Sequence, residues 1–313
     1  MYRKIFGPVP SRRLGRSLGI NNIPSKYCSY SCIYCQVGRT KNLTIKRRKF
    51  YDVSSILNEL IPVLNRLGEK SIDYITFVPD GEPTLDINLG KIAREIREIT
   101  DIPLAILTNS SLLFMEDVRN DLTYFNLVSL KIDSVIDKIW RKINRPYGKL
   151  DINKILEGII EFRDIYNGKI ITETMIIKNI NDSIENFKSN IDFISSIDVD
   201  KAYISIPIRP PAEKWVLPST KDKIVEAHEI YREKLGDRVE LLIKPEGEKF
   251  LSSTGEIVED FLATISVHPM REDYAYKFIE KSGEIPSKIL KKLLEEKKIS
   301  RIKYRGKYFY IKS

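Results

Sequence analysis

The chain has 313 residues, 42% of them hydrophobic and 30% charged, enough to bury a large core as one domain or one domain plus an appendage. No run approaches the ~18 consecutive apolar residues of a membrane span and no targeting segment opens the chain, so we expect a cytoplasmic protein with no membrane partner. The formal net charge of +9 is unevenly placed: residues 1–50 hold twelve Lys/Arg and no acid, residues 270–313 hold thirteen Lys/Arg and six acids, and the body between is net negative.

A first strand is expected around residues 17–23. Asp52 can cap the amphipathic run Val53–Gly68, and Ile72–Val78 reads as a strand. Leu89–Ile99 reads as a helix, and Pro103–Leu107 and Asn126–Ile132 as strands. Val135 to Phe162 is helical, with a break at Arg145-Pro146. Strand Ile170–Ile177, helix Ile184–Ile197, strand Ala202–Ile206, helix Lys221–Leu235 and strand Val239–Ile243 follow. Near-continuous apolar strands alternating with helices predict a parallel sheet covered by helices, in the form of a partial (β/α)6 TIM-like barrel over residues 1–269. Loops after the strands would line one mouth of it. Residues 270–313 differ. Arg271–Glu280 and Pro286–Glu296 read as helices, and Ile299–Tyr304 and Tyr308–Ile311 as a hairpin around Arg305-Gly306. This resembles a small winged-helix-like domain. Its hairpin interleaves basic residues with Tyr304, Tyr308, Phe309 and Tyr310. Basic plus aromatic suits phosphate contact and base stacking. The plainer reading is a docking cap.

The chain's three cysteines sit together as Cys28-x3-Cys32-x2-Cys35. An iron–sulfur cube takes four thiolates. Bound by these three alone, it would keep one iron open for chemistry. A structural zinc site wants four paired Cys/His ligands, and His228 and His268, the only histidines, lie about 200 residues away. A disulfide framework wants an even count in a small secreted chain. Inert buried thiols are the remaining alternative.

Further motifs fall at strand ends. In Phe77-Val-Pro-Asp-Gly-Glu-Pro-Thr84, Gly81 lets backbone pass close to a ligand, and Glu82, followed by Pro83, offers a carboxylate to an ammonium. Thr108 and Asn109 end a strand where small polar groups can reach a ribose hydroxyl or carboxylate. Lys131 ends the next strand among apolar neighbours. Glu173 and Met175 share a face by period two. Arg209, in Ile208-Arg-Pro-Pro211, is placed to grip a phosphate or carboxylate. Taken singly, each has a bland reading as a turn, a surface lysine or a packing loop.

Together, the cysteine spacing with Tyr34 before the last cysteine, Phe6–Gly15, Asp80–Thr84, Asn144-Arg-Pro146 and Ile208–Pro211 resemble the radical S-adenosylmethionine enzymes, in the group beside the wyosine-tRNA synthetases. The resemblance implies one [4Fe-4S] cluster held by Cys28, Cys32 and Cys35, with S-adenosylmethionine chelating the open iron. It also implies a 5′-deoxyadenosyl radical that takes a hydrogen atom from substrate, and a protein electron donor. Gly81, Glu82 and Pro83 correspond to the Gly-Gly-Glu motif that holds the cofactor's amino group, with Asp80 in place of the first glycine. Tyr34, Thr108, Asn109, Lys131, Glu173 and Arg209 become candidate cofactor or substrate contacts. Relatives resembling wyosine synthetases carry extra cysteines for a second cluster, and this chain has none. Three functions are expected, in descending order. The first is radical chemistry on a macromolecule such as tRNA, bound through the basic ends and hairpin. The second is the same chemistry on a peptide or small molecule. The third is a non-enzymatic cluster-bearing nucleic-acid regulator.

Overall fold

The computed structural model describes residues 3–313. In chain order its elements are strands β1 (Ile5–Ser11), β2 (Gly15–Ile20), β3 (Tyr27–Cys28) and β4 (Asn42–Leu43), helix α1 (Val53–Leu67), β5 (Tyr74–Phe77), α2 (Leu89–Arg97), β6 (Leu104–Thr108) and α3 (Glu116–Leu122). Next come β7 (Leu127–Lys131), α4 (Asp137–Asn144), α5 (Ile152–Ile165), β8 (Lys169–Met175), α6 (Ile184–Ser196), β9 (Lys201–Ser205), α7 (Lys221–Leu235) and β10 (Val239–Leu242). The chain closes with α8 (Ile257–Val267), β11 (Met270–Arg271), α9 (Glu272–Glu280), α10 (Pro286–Glu295), β12 (Ile299–Tyr304) and β13 (Lys307–Lys312). One eight-stranded sheet runs β1-β2-β5-β6-β7-β8-β9-β10 and curls into a half-barrel. It is parallel from β2 onward, with β1 antiparallel at one edge.

Period two divides the sheet into two apolar faces. Ile75, Ile106, Val128, Ile170 and Ile204 point outward into the main core, against Ile56, Leu60, Ile92, Ile155, Phe187 and Tyr231 of the covering helices. Their neighbours Ala105, Leu127, Ile171 and Tyr203 form a smaller apolar layer on the concave face, with Leu14 and Leu242. Each buried Ile or Leu contributes about 1.5–3 kcal/mol, so this alternation fixes register and thereby which residues face the barrel interior.

The barrel is larger than expected. Strand β1 was not expected, because Gly7, Pro8 and Pro10 interrupt its apolar run. Helix α8 was missed for the opposite reason: it is buried nearly all round and shows no polar stripe. The short α3 also went unread. Asp52 does stand at the N-cap of α1, but its carboxylate pairs with Lys49 and makes no capping bond. The helical stretch breaks at Arg145, which takes a left-handed conformation (φ 46°).

Residues 270–313 form the expected two helices and hairpin, with β11 added to the sheet as β11-β13-β12. They share an apolar cluster with Phe6 and Val9 of β1 and with Phe261 and Ile265 of α8. Of the four hairpin aromatics, Phe309 and Tyr310 are buried, and Tyr304 donates from its hydroxyl to the Pro207 carbonyl at 3.0 Å. Tyr308 is exposed, with the Arg301 guanidinium 3.5 Å from its ring centroid. No helix among the described residues is long and apolar enough to cross a membrane.

Candidate active site

The cysteine loop lies across the carboxyl ends of the parallel strands and is fastened there by backbone. Glu82 N donates to the Tyr27 carbonyl at 3.0 Å and Lys26 N to the Asp80 carbonyl at 3.0 Å. On its other side, Ser31 N donates to the Asn144 carbonyl (3.0 Å), Ile33 N to Ile143 (3.0 Å), and Tyr147 N to the Ser29 carbonyl (2.8 Å). Glu213, almost wholly buried, binds Arg39 of the cysteine loop at 2.9 Å and Arg145 at 2.5 Å, tying the loop to the segment after β9. The Asn144-Arg145-Pro146 run, at the expected helix break, thus clamps the cysteine loop.

Gly81 sits where nothing larger fits. A Cβ there would stand 1.9 Å from the Tyr27 carbonyl oxygen. Its φ is not in the left-handed region, so the need is close approach rather than an unusual turn. This explains why Asp80, buried and hydrogen-bonded by Asn21 at 3.4 Å, can occupy the preceding position. Gly81→Ala should displace the cysteine loop and cost about 1–3 kcal/mol of stability as an overpacked position, read as a lowered midpoint in chemical denaturation.

Glu82 is about 1% exposed and bound on both oxygens. Oε1 accepts from Thr84 N (3.1 Å), Thr84 Oγ1 (2.6 Å) and Thr108 Oγ1 (2.6 Å), and Oε2 accepts from Asn109 N (2.7 Å). Burial pushes its carboxyl above the usual range, against the pull of the Thr108 and Thr84 hydroxyls. A carboxylate has about four acceptor positions over two oxygens, so Oε2 retains room for one further donor. Thr108 and Asn109, expected to face a ribose or carboxylate, act on Glu82 and on the cysteine loop. The Asn109 amide donates to Ser29 Oγ at 2.9 Å and reaches Cys28 Sγ at 3.5 Å.

The three cysteines are half-buried and make no disulfide. Burial raises all three thiols. Cys28 goes well above its ordinary value, with Glu82 and Cys32 adding to the effect, and Cys32 is pushed up to about 12, with Cys35 adding. Cys35 rises less, moderated by the Val37 amide and Lys26. Three desolvated sulfurs that repel one another as thiolates are a donor set that a polycationic group would neutralise, so these residues fit an iron–sulfur cluster. Among the described residues no three His, Cys, Asp or Glu are grouped to hold one metal ion.

A second polar knot lies beneath. The buried Asp133 accepts from the Tyr34 hydroxyl, from Asn144 Nδ2 at 2.7 Å and from Met175 N at 2.8 Å. Asn144 Nδ2 also reaches Cys32 Sγ at 3.4 Å. Lys131, lowered by burial, stands 3.1 Å from Glu173 and 3.6 Å from Asp133, above the Tyr34 ring. Glu173 also accepts from Ser205 Oγ at 2.8 Å and pairs with Arg13.

Lys131 and Glu173 border a cavity of about 290 Å³ inside the half-barrel, whose lining also includes Tyr34, Cys35, Met175 and Arg209. Glu173 and Met175 share its wall, as their spacing predicted. Pro83, Glu82 and Thr108 lie next to the cysteine loop rather than on the cavity wall. Arg209 is held by Glu246 at 2.7 Å and by Gln36 Oε1 at 2.7 Å. The sequence reading missed Asp133, Glu246 and the cavity role of His268, and it named Phe6–Gly15 and Asn144–Pro146 as segments without giving Arg12, Arg13 or Asn144 a contact. These roles depend on contacts remote in sequence.

A half-barrel with buried thiols and a carboxylate at its strand ends defines a class of cofactor-binding α/β enzymes. The model of the Radical SAM superfamily matches residues 22–191, and the chain belongs to that superfamily as a radical S-adenosylmethionine enzyme. It is 50% identical over 309 residues to a UPF0026 protein of Methanocaldococcus jannaschii, covering 98% of this chain and 95% of the relative. It is 32% identical over 308 residues to a UPF0026 protein of Helicobacter pylori, covering 98% and 96%. Among solved structures it is similar to Streptococcus suis SuiB bound to precursor peptide SuiA, with 14% identity, a TM-score of 0.54, and coverage of 71% of this chain and 48% of that one. The last likeness is one of fold. Membership implies a [4Fe-4S] cluster and S-adenosylmethionine.

Proposed function

We propose that Cys28, Cys32 and Cys35 hold a single [4Fe-4S] cluster, that Glu82 receives the ammonium of S-adenosylmethionine, and that the substrate is RNA, with tRNA the first candidate. When bound, cluster and cofactor together supply a 5′-deoxyadenosyl radical that removes a hydrogen atom from substrate. The observation that carries the reading is the coupling of Glu82 to the cysteine loop: Asn109 bonds Glu82 through its backbone and contacts Cys28 through its side chain. Thr84 and Thr108 fix Oε1, so the free acceptor position of Oε2 is aimed without rotamer freedom. The Asn109 and Asn144 amides donate toward Cys28 and Cys32 and would stabilise their thiolates. Lys131 and Glu173, paired on the cavity wall, can orient polar groups of cofactor or substrate.

RNA is favoured by where the hairpin sits. Tyr304 bonds to Pro207, which lines the cavity, so the hairpin lies at the cavity rim. Lys297, Lys303, Arg305 and Lys307 are all exposed on it and its approach. Residues 270–313 thus read as a winged-helix-like unit that would present a strand of RNA to the barrel. Tyr308, flanked by Arg301, is available for stacking on a base. A tRNA retained by four such phosphate contacts should lose affinity with salt at a slope near −0.7 to −0.9 per contact. The double variant Arg305→Gln, Lys307→Gln should therefore lower the slope by about 1.4 to 1.8, measured by filter binding across a salt series. A slope unchanged by that variant would move the substrate to the peptide or small-molecule class.

A further inference from the structure

The cavity contains a charge that the machinery just described leaves without a counter-ion. Its cationic lining residues are Arg12, Arg13, Lys131 and Arg209. Facing them are the carboxylates of Glu173 and Glu246 on the wall and Asp133 behind Lys131. One positive charge is left over with every carboxylate ionised, and the pairing identifies it. Arg13 pairs with Glu173, Lys131 with Glu173 and Asp133, and Arg209 with Glu246 at 2.7 Å. Arg12 makes no salt bridge among the described residues, and the carboxylate that acts on it from a distance, Glu246, is already bound to Arg209. Its guanidinium donates from Nη1 to two backbone carbonyls, Leu242 at 2.5 Å and Lys244 at 2.7 Å. The buried Nε of Arg209 has no hydrogen-bond partner among the described residues. His268 bonds to the same Glu246 as Arg209, at 2.8 Å, so that carboxylate is already shared.

These guanidiniums crowd one another. Burial, followed by the nearness of Arg209, holds Arg12 down at about 10, and burial, followed by the nearness of Arg12, does the same to Arg13. They do not serve as counter-charges to the thiols. Lys131 and Lys26 are the cations that feel Cys32 and Cys35. The arrangement is also stiff. Arg12 and Arg13 sit in the short turn joining β1 to β2, which Ser11 Oγ holds by accepting from Leu14 N at 3.2 Å. Arg209 is fixed by Gln36 at 2.7 Å. Guanidinium forks so placed match the planar or tetrahedral geometry of an oxyanion, and a buried donor left unpaired is unfavourable until something accepts from it.

We propose that Arg12, Arg13 and Arg209 form an oxyanion subsite inside the barrel that holds a phosphate or carboxylate group of the substrate. It rests on the reading of the cavity as the reaction chamber. The subsite would anchor the reacting unit by one anionic group while the rest of that unit lies toward Cys35 and Tyr34, which border the same cavity.

The test uses the full-length protein, reconstituted anaerobically and saturated with S-adenosylmethionine. Inorganic phosphate and acetate are titrated separately by calorimetry. The proposal expects one-to-one binding of at least one of them, weakened tenfold or more by Arg12→Gln and by Arg13→Gln. Phosphate preference assigns the anion to a nucleotide or phosphorylated substrate, and acetate preference to a carboxylate. Arg13→Gln leaves the Arg12 contacts to Leu242 and Lys244 in place, so it carries the test if Arg12→Gln does not fold. Three results would overturn the proposal: no binding of either anion, binding indifferent to both substitutions, or anions that compete with S-adenosylmethionine, which would give these arginines to the cofactor. The titration involves no turnover and no RNA, so its outcome is independent of whether the cofactor is cleaved or tRNA is retained.

Discussion

Glu82→Gln should weaken S-adenosylmethionine binding by about 10- to 150-fold, the range of a hydrogen bond to a charged group of 1.5–3 kcal/mol. The change is isosteric, but it converts one acceptor oxygen into a donor nitrogen. Three donors converge on Oε1, so the retained carbonyl would stay there. The new amide would then stand at the Oε2 position, against the Asn109 backbone N–H that now donates to it at 2.7 Å. A buried donor would be orphaned at the same moment that the charge facing the ammonium disappears. Equilibrium dialysis with the reconstituted protein measures the loss. An unchanged dissociation constant would remove Glu82 from cofactor binding and leave it as a brace for the cysteine loop. Glu82→Asp should lose less than Glu82→Gln if charge matters most, and as much if reach does.

Cys32→Ser should abolish 5′-deoxyadenosine formation. Its sulfur is in contact with the Asn144 amide and has Cys35 near enough to raise it, so it belongs to the shared donor set. Serine keeps the volume and hydrogen bonding of the loop but is a poor ligand for iron, which isolates the metal role from the structural one. The same loss is expected for Cys28→Ser and Cys35→Ser, with iron content falling in each. Asn144→Ala is the useful contrast. It removes one donor to Cys32 and one to Asp133, and by analogy with outer-shell partners at metal sites should reduce activity about 10- to 100-fold without abolishing it.

The sequence made the strand–helix alternation legible because each central strand is an unbroken apolar run and each covering helix carries an apolar stripe. Elements that break those habits were illegible: β1 with its two prolines, and α8 with no polar face. At the site, residues bound to short motifs could be read, since Cys28–Cys35 and Asp80–Thr84 are each continuous segments. Asp133 and Asn144 could not, because their roles arise from contacts to Tyr34 and Cys32, about a hundred residues away in the chain. Charge along the chain says little about charge in space. The basic N-terminal stretch and the acidic body, separate in sequence, meet in space. Arg3 pairs with Asp260 and Glu259, Lys4 with Glu59, Arg16 with Asp73, Arg39 with Glu213, and Arg47 with Asp117 and Asp121. Of the basic N-terminal stretch, Lys41, Lys46 and Arg48 stay exposed without an ion pair among the described residues. A second group of exposed cations, Lys297, Lys303, Arg305 and Lys307, stands on the hairpin and its approach, and Arg12, which has no salt bridge among the described residues, is inside.

The central claim is that three thiolates hold a cube whose fourth iron is left to the cofactor. Mössbauer spectroscopy of anaerobically reconstituted, iron-57-labelled protein tests it directly. The account predicts one four-iron cluster per chain and, on addition of S-adenosylmethionine, a changed signal from one iron of the four. A cluster whose four irons respond alike, or protein that takes up no four-iron cluster when supplied with iron and sulfide, would contradict it.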